Sequence, residues 1–159
     1  MTERSYWLLK SEPTAYSFSD LLGEEDQTAE WDGVRNYQAR NTLRNEMKVG
    51  DGVFFYHSNA KPTAVVGTAI VVREGYPDHT AWDPLSEHPD PKSTSEKPIW
   101  YMVDIKAQTR FSCPVTLSEI KGVSSLENMV LVNRSRLSVQ PVSIEEWEII
   151  NEIGMPKDV

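Results

Sequence analysis

The chain has 159 residues, a length typical of one domain, and 39% of them are hydrophobic, which is enough to build a buried core. The net charge of −8 argues against an extended surface that tracks a nucleic-acid backbone, because phosphates repel an acidic protein. A single cysteine, Cys113, allows no internal disulfide, and no apolar run approaches the ~20 residues of a membrane span. The polar N-terminus is unlike a signal peptide, so we expect a cytoplasmic location, or a nuclear one in a eukaryote.

Strands are predicted where hydrophobic residues alternate or where β-branched and aromatic residues are concentrated. Five segments meet this description: 5–10, 52–57, 64–72, 99–107 and 136–142. A proline-rich stretch, 74–98, separates two of them and is either a long ordered loop or a flexible flap.

Helices are predicted from capping signals. Ser17 can cap residues 18–22, and Asn36 can cap residues 37–45. Thr116 and Ser143 are each followed by glutamate three residues later, which is a capping box, and the second box opens a helix over 144–153. Short helices inserted among five or more strands predict a single α+β domain over residues 1–159 rather than repeated βαβ units.

The segment WDGVRNYQARN, residues 31–41, sets arginines close together in an acidic chain. Such arginines either pair with the protein's own carboxylates or receive an anion from outside. Arg35 lies in a tight turn, so we expect it to be structural. On a helix capped by Asn36, Arg40 and Arg44 lie on one broad side, and we expect at least one of them to be exposed.

Catalytic motifs are not evident. The sequence contains neither a Gly-Lys-Ser phosphate loop nor GxGxxG, and the three histidines lack the spacing of paired metal ligands. Cys113 as a nucleophile is not excluded, but single cysteines are more often inert. We therefore expect no metal and no cofactor.

Aromatic residues and polar strand ends suggest a binding site instead. Trp7, Trp100 and Trp147 fit core positions, whereas Trp31 stands outside any periodic run and is a candidate stacking surface for a planar ligand. Polar side chains are found at the ends of predicted strands, at residues 10–12, 56–59 and 138–140. They could read the edge of a heterocycle, although spacing alone favours residues that form turns.

Six strings in order resemble the EVE domain family over nearly the whole chain: WLLKSEP, WDGVRNYQARN, VGDGVFFYHSN, AVVGTAIVVREGYPD, DPKS followed by WYMVDI, and RLSVQPVSIEEW. EVE domains are related to YTH and ASCH domains in the PUA-like group. The resemblance implies a pseudo-barrel of about five to six strands with short helices packed around it, and a pocket for a modified nucleobase.

Motif by motif, the resemblance implies three sets of residues in that pocket. The KSEP segment, the WDGVRN turn and the strand ends supply Lys10, Ser11, Glu12, Trp31, Asp32, Val34, Asn36, Tyr56, His57, Ser58, Ser138, Gln140 and Pro141. Candidate phosphate contacts are Arg40, Arg44, Lys92 and Arg134.

Together these features predict a non-enzymatic module that binds nucleic acid, DNA or RNA, through a modified cytosine or a similar base. One alternative is an enzyme that acts on a modified base or nucleotide with His57 as general base. Another is an adaptor that binds a protein partner through residues 74–98.

Overall fold

The computed structural model describes residues 4–133 and 136–156. Its strands form one mixed sheet and are β1 (Tyr6–Ser11), β2 (Thr28–Glu30), β3 (Gly52–His57), β4 (Ala64–Pro77), β5 (Tyr101–Thr116) and β6 (Val139–Val142). The helices are short and comprise α1 (Phe18–Leu22), α2 (Tyr37–Asn45), α3 (Leu117–Lys121), α4 (Val130–Asn133) and α5 (Ile144–Gly154).

Strand order across the sheet is β2-β5-β4-β3-β1-β6, so the sheet is open, with β2 and β6 at its edges. Strands β1 and β3 are parallel neighbours, while each of the other pairs is antiparallel. Because parallel strands end at the same side of a sheet, the last residues of β1 and β3 lie next to each other. Strand β6 begins there, since it runs antiparallel to β1.

Both faces of the sheet carry a hydrophobic core, because alternate residues of each strand point to opposite sides. Leu9 and Phe55 belong to the first core, with α1 and α2; Leu8 and Phe54 belong to the second, which includes α5 residues. Register shifts within β3–β4 and β4–β5 bend these strands. At one of them, a Cβ on Gly67 would lie 2.6 Å from the Thr109 carbonyl oxygen, so only glycine fits.

The α+β fold is confirmed, and the capping signals located α1, α2, α3 and α5 correctly. Several bounds differ from the prediction. Strand β4 continues to Pro77 and β5 to Thr116, because the two strands pair with each other along much of their length. The prediction missed the three-residue strand β2 and the four-residue helix α4, which are too short to show a period.

In the described part of the chain, no helix is both long and apolar enough to cross a membrane.

Candidate nucleic-acid interface

The ends of β1 and β3 and the start of β6 meet at one side of the sheet, here called the rim. Ser11 pairs in register with His57, and its carbonyl accepts the N–H of Ser58 at 3.0 Å. The N–H of Lys10 donates to the Ser138 carbonyl, also at 3.0 Å. Three segments that the sequence singled out separately are therefore adjacent in the fold.

Side chains at the rim point to both faces of the sheet. Lys10, Tyr56 and Gln140 share the face that carries the second core, and the Lys10 ammonium lies 5.7 Å from the centre of the Tyr56 ring. Burial lowers the pKa of Lys10 and raises the pKa of the Tyr56 phenol. Gln140 is fully buried, and its amide nitrogen donates to the Leu137 carbonyl at 2.8 Å. Burial and the hydrogen bond to Leu137 therefore hold the Gln140 amide in one orientation at the rim.

His57 and Ser11 lie on the opposite face, near Phe55. His57 Nε2 accepts the backbone N–H of Phe18 at 3.1 Å, so a neutral ring carries its proton on Nδ1. Burial lowers the pKa of His57, which favours that neutral form. Ser11 Oγ donates to the Tyr16 carbonyl. Glu12 is exposed just beyond this strand end.

Trp31 lies on the same face as His57 but is only 7% exposed. Its indole meets Phe55 edge to face at 5.3 Å between ring centroids, and it meets Tyr16 in the same way at 6.4 Å. Trp31 follows directly after β2, and its backbone N–H donates to the Val103 carbonyl, which fixes its position. The indole therefore contributes to the first core, and a small part of it is accessible.

The turn after Trp31 is held by neighbouring loops. The Asp32 carboxylate lies 3.7 Å from His88 Nε2, and burial raises the pKa of Asp32 although His88 opposes the shift. Gly33 adopts a φ of 81°, and a Cβ there would lie 2.9 Å from the His88 ring. Val34 is buried, and Asn36 Oδ1 caps α2 by accepting the Ala39 N–H at 2.9 Å. Because Oδ1 can accept a second hydrogen bond, a ligand contact from Asn36 would use either that oxygen or the amide nitrogen.

Arg35 has the structural role expected from the sequence. Its Nη1 lies 2.9 Å from Oδ2 of Asp78, a carboxylate with no exposed side-chain surface. Asp78 also accepts hydrogen bonds from the backbone of Gly33 and from Thr80. Burial alone would raise the pKa of Asp78, but the hydrogen bonds from Thr80, Gly33 and Arg35 outweigh it and lower that pKa. The second Arg35 nitrogen donates to the His88 carbonyl at 2.7 Å.

Arg40 and Arg44 differ from Arg35 because no carboxylate within residues 4–133 and 136–156 forms a salt bridge with either. Arg40 is half-buried, donates to the Ile99 carbonyl at 2.6 Å and lies 5.1 Å from the Tyr37 ring centre. Arg44 is exposed and lies 5.5 Å from the ring centre of Tyr101. We call Tyr37, Arg40 and Arg44 the α2 surface.

The remaining candidates are spread out. Lys92 is exposed in the loop before β5, next to buried Ser93, whose hydroxyl accepts the Ile99 N–H. Ile99 also accepts a hydrogen bond from Arg40, so Lys92 is next in sequence to a residue that shares a partner with Arg40. Pro141 is exposed, but it pairs in register with Trp7, which lies near the start of β1 and away from the rim. Arg134 lies outside the described residues.

Residues 74–77 of the proline-rich stretch belong to β4, and the rest of the stretch is a loop held in place by hydrogen bonds. Asp78 and Ser93 are buried, and a short 3-10 turn spans His79–Trp82. Asp90 accepts the Trp100 indole N–H at 2.6 Å, which ties the loop to the start of β5. Of the two alternatives that the sequence left open, the ordered loop is the one observed.

Sequence reasoning missed an acidic groove beside β2. Its volume is about 540 Å³, and it is lined by Glu24, Glu25, Asp26, Thr28, Ala29, Glu30 and Asp104. All of these residues except Asp104 fall within 24–30, and the register of β2 with β5 brings Asp104 opposite Glu30. Across the described ranges, no group of three His, Cys, Asp or Glu side chains is arranged to hold a metal ion.

The fold and the rim define a class, an α+β domain with polar groups where its parallel strands end, and comparison with a known structure adds that the fold is PUA-like. The ASCH protein of Zymomonas mobilis has this fold, with a TM-score of 0.51 and 10% identity over 92% of this chain and 96% of that one. At so low an identity, the likeness concerns the fold alone.

A family model for the EVE domain matches residues 5–153, and the chain therefore belongs to the EVE domain family. Human thymocyte nuclear protein 1 is 42% identical over 163 residues, which cover 92% of this chain and 72% of the relative. A hypothetical protein from Leishmania major is 50% identical, with a TM-score of 0.90 and coverage of 96% and 95%.

The human relative, thymocyte nuclear protein 1 or THYN1, was also crystallised with a ligand. The human THYN1 protein, in complex with DNA that contains 5-methylcytosine, is 40% identical to this chain, with a TM-score of 0.90. The match covers 98% of this chain and 99% of that one.

Proposed function

We propose that this protein is a non-enzymatic module that binds a modified cytosine in DNA, and that the base sits at the rim. The main support for this proposal is the complex of the human THYN1 protein with DNA containing 5-methylcytosine, because that protein matches 98% of this chain with a TM-score of 0.90. A match of this extent gives nearly the whole chain a counterpart in that protein.

The rim supplies the chemistry that a cytosine requires. Cytosine presents an amino donor and ring acceptors along one edge, and a methyl group at C5 adds apolar surface. The Ser11 hydroxyl and the His57 imidazole lie on one face of the rim, the Lys10 amine lies on the other face, and Ser58 follows the strand end. Their mixture of donors and acceptors suits that edge.

The apolar part of the base would meet the aromatic side of the rim. Trp31 and Tyr16 lie close together there, and Trp31 retains a small accessible area. The other proposed pocket residues are Glu12, Asp32, Val34, Asn36, Tyr56, Ser138, Gln140 and Pro141, of which Tyr56 and Gln140 lie on the opposite face of the sheet. Pro141 is the most distant of them by strand register.

A base inside a duplex cannot reach such a site without leaving the stack. Base flipping requires a few kcal/mol of unstacking and unpairing, which stacking and edge hydrogen bonds must recover. A single-stranded ligand avoids most of this cost. We therefore propose tighter binding to single-stranded than to duplex DNA, and we extend the proposal to RNA that carries the same modified base.

Phosphates next to the bound base would contact Arg40, Arg44 and Lys92. The two arginines have no carboxylate partner among the described residues, and their guanidinium groups carry five N–H donors each. Arg134 completes the proposed set from the sequence alone. With so few contacts, the dependence of affinity on salt should be shallow.

A non-catalytic role is favoured by the state of His57. The Nε2 atom already accepts the Phe18 N–H, so it is not available as a general base toward a substrate. The enzyme alternative predicts that modified nucleosides or oligonucleotides are converted by the protein and not by its His57→Gln variant. Chromatography of modified nucleosides and oligonucleotides after incubation with the protein would reveal such conversion.

If DNA is the ligand, the protein must be located in a cellular compartment that contains DNA. The vertebrate relatives are named nuclear proteins, and we propose that this protein likewise occupies the compartment that holds DNA.

The test is equilibrium binding to short oligonucleotides that are identical except for cytosine or 5-methylcytosine, as single strands and as duplexes. Tighter binding to the methylated strand would support the proposal, and equal affinity for all strands would refute it. Trp31→Phe keeps an aromatic group in the core, whereas Trp31→Ala would leave a cavity that costs about 3–5 kcal/mol of stability. The Phe variant should lose part of the preference while remaining folded by circular dichroism.

A further inference from the structure

Tyr37 is the most exposed aromatic residue in the part of the chain that the structure describes. It is not among the residues of the proposed base site. It is 60% exposed, yet its ring packs against Trp100 with centroids 4.9 Å apart and planes tilted by 33°. Trp100 itself is only 5% exposed. An exposed ring backed by a buried ring is a rigid apolar platform on the surface.

The support beneath Tyr37 is fixed by polar contacts. The Trp100 indole N–H donates to Asp90 at 2.6 Å, and the Arg35 guanidinium lies 5.6 Å from the Trp100 ring centre. Arg35 is in turn held by buried Asp78. Because the platform is already ordered, a ligand that stacks on it would lose little additional conformational freedom from the protein.

The charge around Tyr37 fits a nucleic acid. Arg40 lies 5.1 Å from the Tyr37 ring centre, and Arg44 follows one helical turn later. Neither has a carboxylate partner in the part of the chain that the structure describes. An aromatic face flanked by cations is the combination that single-stranded nucleic acids bind, with bases on the ring and phosphates on the cations.

The platform is close to the proposed base site along the chain. Tyr37 directly follows Asn36 and is six residues from Trp31, a stretch that can span at most about 20 Å. We propose that Tyr37 stacks a second nucleobase of the same DNA strand, a neighbour of the modified cytosine. The inference rests on the proposed function and deepens it, since the ligand would then be a DNA segment with unpaired bases beside the target.

The experiment compares fluorescence-anisotropy titrations of short single-stranded DNAs that contain one 5-methylcytosine. In one set both neighbours are ordinary nucleotides, and in the other both are abasic. The proteins are the wild type, Tyr37→Ala, Tyr37→Phe and Leu85→Ala, a control because Leu85 is an isolated side chain that is 93% exposed. Circular dichroism and thermal unfolding confirm that each variant is folded.

We expect Tyr37→Ala to weaken binding of the ordinary strand by about 5- to 100-fold, the range for loss of one stacked base. The same variant should match the wild type on the abasic strand, which has no base to stack. Tyr37→Phe should restore most of the affinity, and Leu85→Ala should bind as the wild type does. The ratio of affinities for methylated and unmethylated strands should stay unchanged in Tyr37→Ala.

An equal loss on the ordinary and abasic strands, or no loss on either, would overturn the inference. If the wild type failed to distinguish 5-methylcytosine from cytosine while Tyr37 still depended on the neighbouring base, the proposed function would fail and the stacking role of Tyr37 would stand.

Discussion

The α2 surface and the acidic groove lie against the same strand, β5, but differ in how their charged side chains are paired. In the groove, carboxylates have partners: Asp26 lies 3.1 Å from Lys106, and Glu30 lies 3.1 Å from His79. On the α2 surface, Arg40 and Arg44 rest on aromatic rings, and no carboxylate of the described chain pairs with them.

This difference explains how a chain with a net charge of −8 can be expected to bind DNA. Interactions between exposed charges fade over a Debye length of about 8 Å at physiological ionic strength. A phosphate on the α2 surface would therefore respond to the nearby arginines more than to distant carboxylates. Net charge limits the size of the contact surface and does not prevent a local one.

The largest expected effect concerns the buried pair beneath the α2 surface. Asp78→Ala removes the partner of Arg35 and leaves a guanidinium that is 23% exposed without its carboxylate. We expect the free energy of unfolding to fall by about 3–5 kcal/mol, as for other broken buried pairs. Urea unfolding would measure it.

The matched control is Glu74→Ala, which breaks a surface pair with Lys48 in which the two side chains are 49% and 55% exposed. That change should cost less than about 1 kcal/mol. Similar losses in the two variants would contradict the distinction between a structural arginine pair and a surface pair.

The next effect concerns the arginines of the α2 surface. Reversing both charges, Arg40→Glu with Arg44→Glu, should weaken binding to methylated single-stranded DNA by about tenfold or more at low salt. The slope of log affinity against log salt should also become shallower by roughly 1.4, if each arginine neutralises one phosphate of a single strand.

Arg110→Glu with Lys121→Glu changes the net charge equally, at two exposed positions away from α2. Its smaller effect would separate local contacts from overall charge. If both double variants weakened binding to the same extent, the α2 surface would have no special role.

A smaller, pH-dependent effect should appear at Asp78. Its folded pKa is lowered from the ordinary value of 3.8, so the ionised group stabilises the fold above that value. The stabilisation is lost as the pH falls through the lowered pKa. We therefore expect the stability difference between wild type and Asp78→Asn to shrink in that acidic range, in urea unfolding at a series of pH values; a constant difference would count against this linkage.

The smallest effect is expected at the acidic groove. Glu24→Gln, Glu25→Gln and Asp26→Asn together remove three negative charges beside β2. Because interactions between exposed charges weaken over a Debye length of about 8 Å, we expect DNA affinity at physiological salt to rise by less than about threefold. A rise as large as the loss from arginine reversal would show that the two regions are electrostatically coupled.

Much of the fold was predictable because its signals are local. Asn36 and Ser143 mark helix starts by hydrogen bonds that reach three residues, so the sequence is sufficient to locate them. Strand β2 was missed because three residues show no period, and its existence depends on pairing with β5. The full length of β4 and β5 likewise depends on their mutual pairing.

The candidate site was predictable in part. The adjacency of Ser11 and His57 came from the family resemblance and from polar residues at strand ends, and the strand register places them side by side. The surroundings of Trp31 were not predictable, since its burial depends on Phe55 and Tyr16, which are distant in sequence. The same holds for Tyr37 and Trp100, which meet only in the folded chain.

The position of β1 between β3 and β6 has a consequence for the order of folding. Leu8 pairs with Phe54 on one side and with Gln140 on the other, so the two partners come from opposite parts of the chain. Contacts between such distant residues form slowly compared with local ones, such as those between β3 and β4. We therefore expect a refolding chain to regain most of its secondary structure before β1 is inserted, and affinity for DNA to be among the last properties to return.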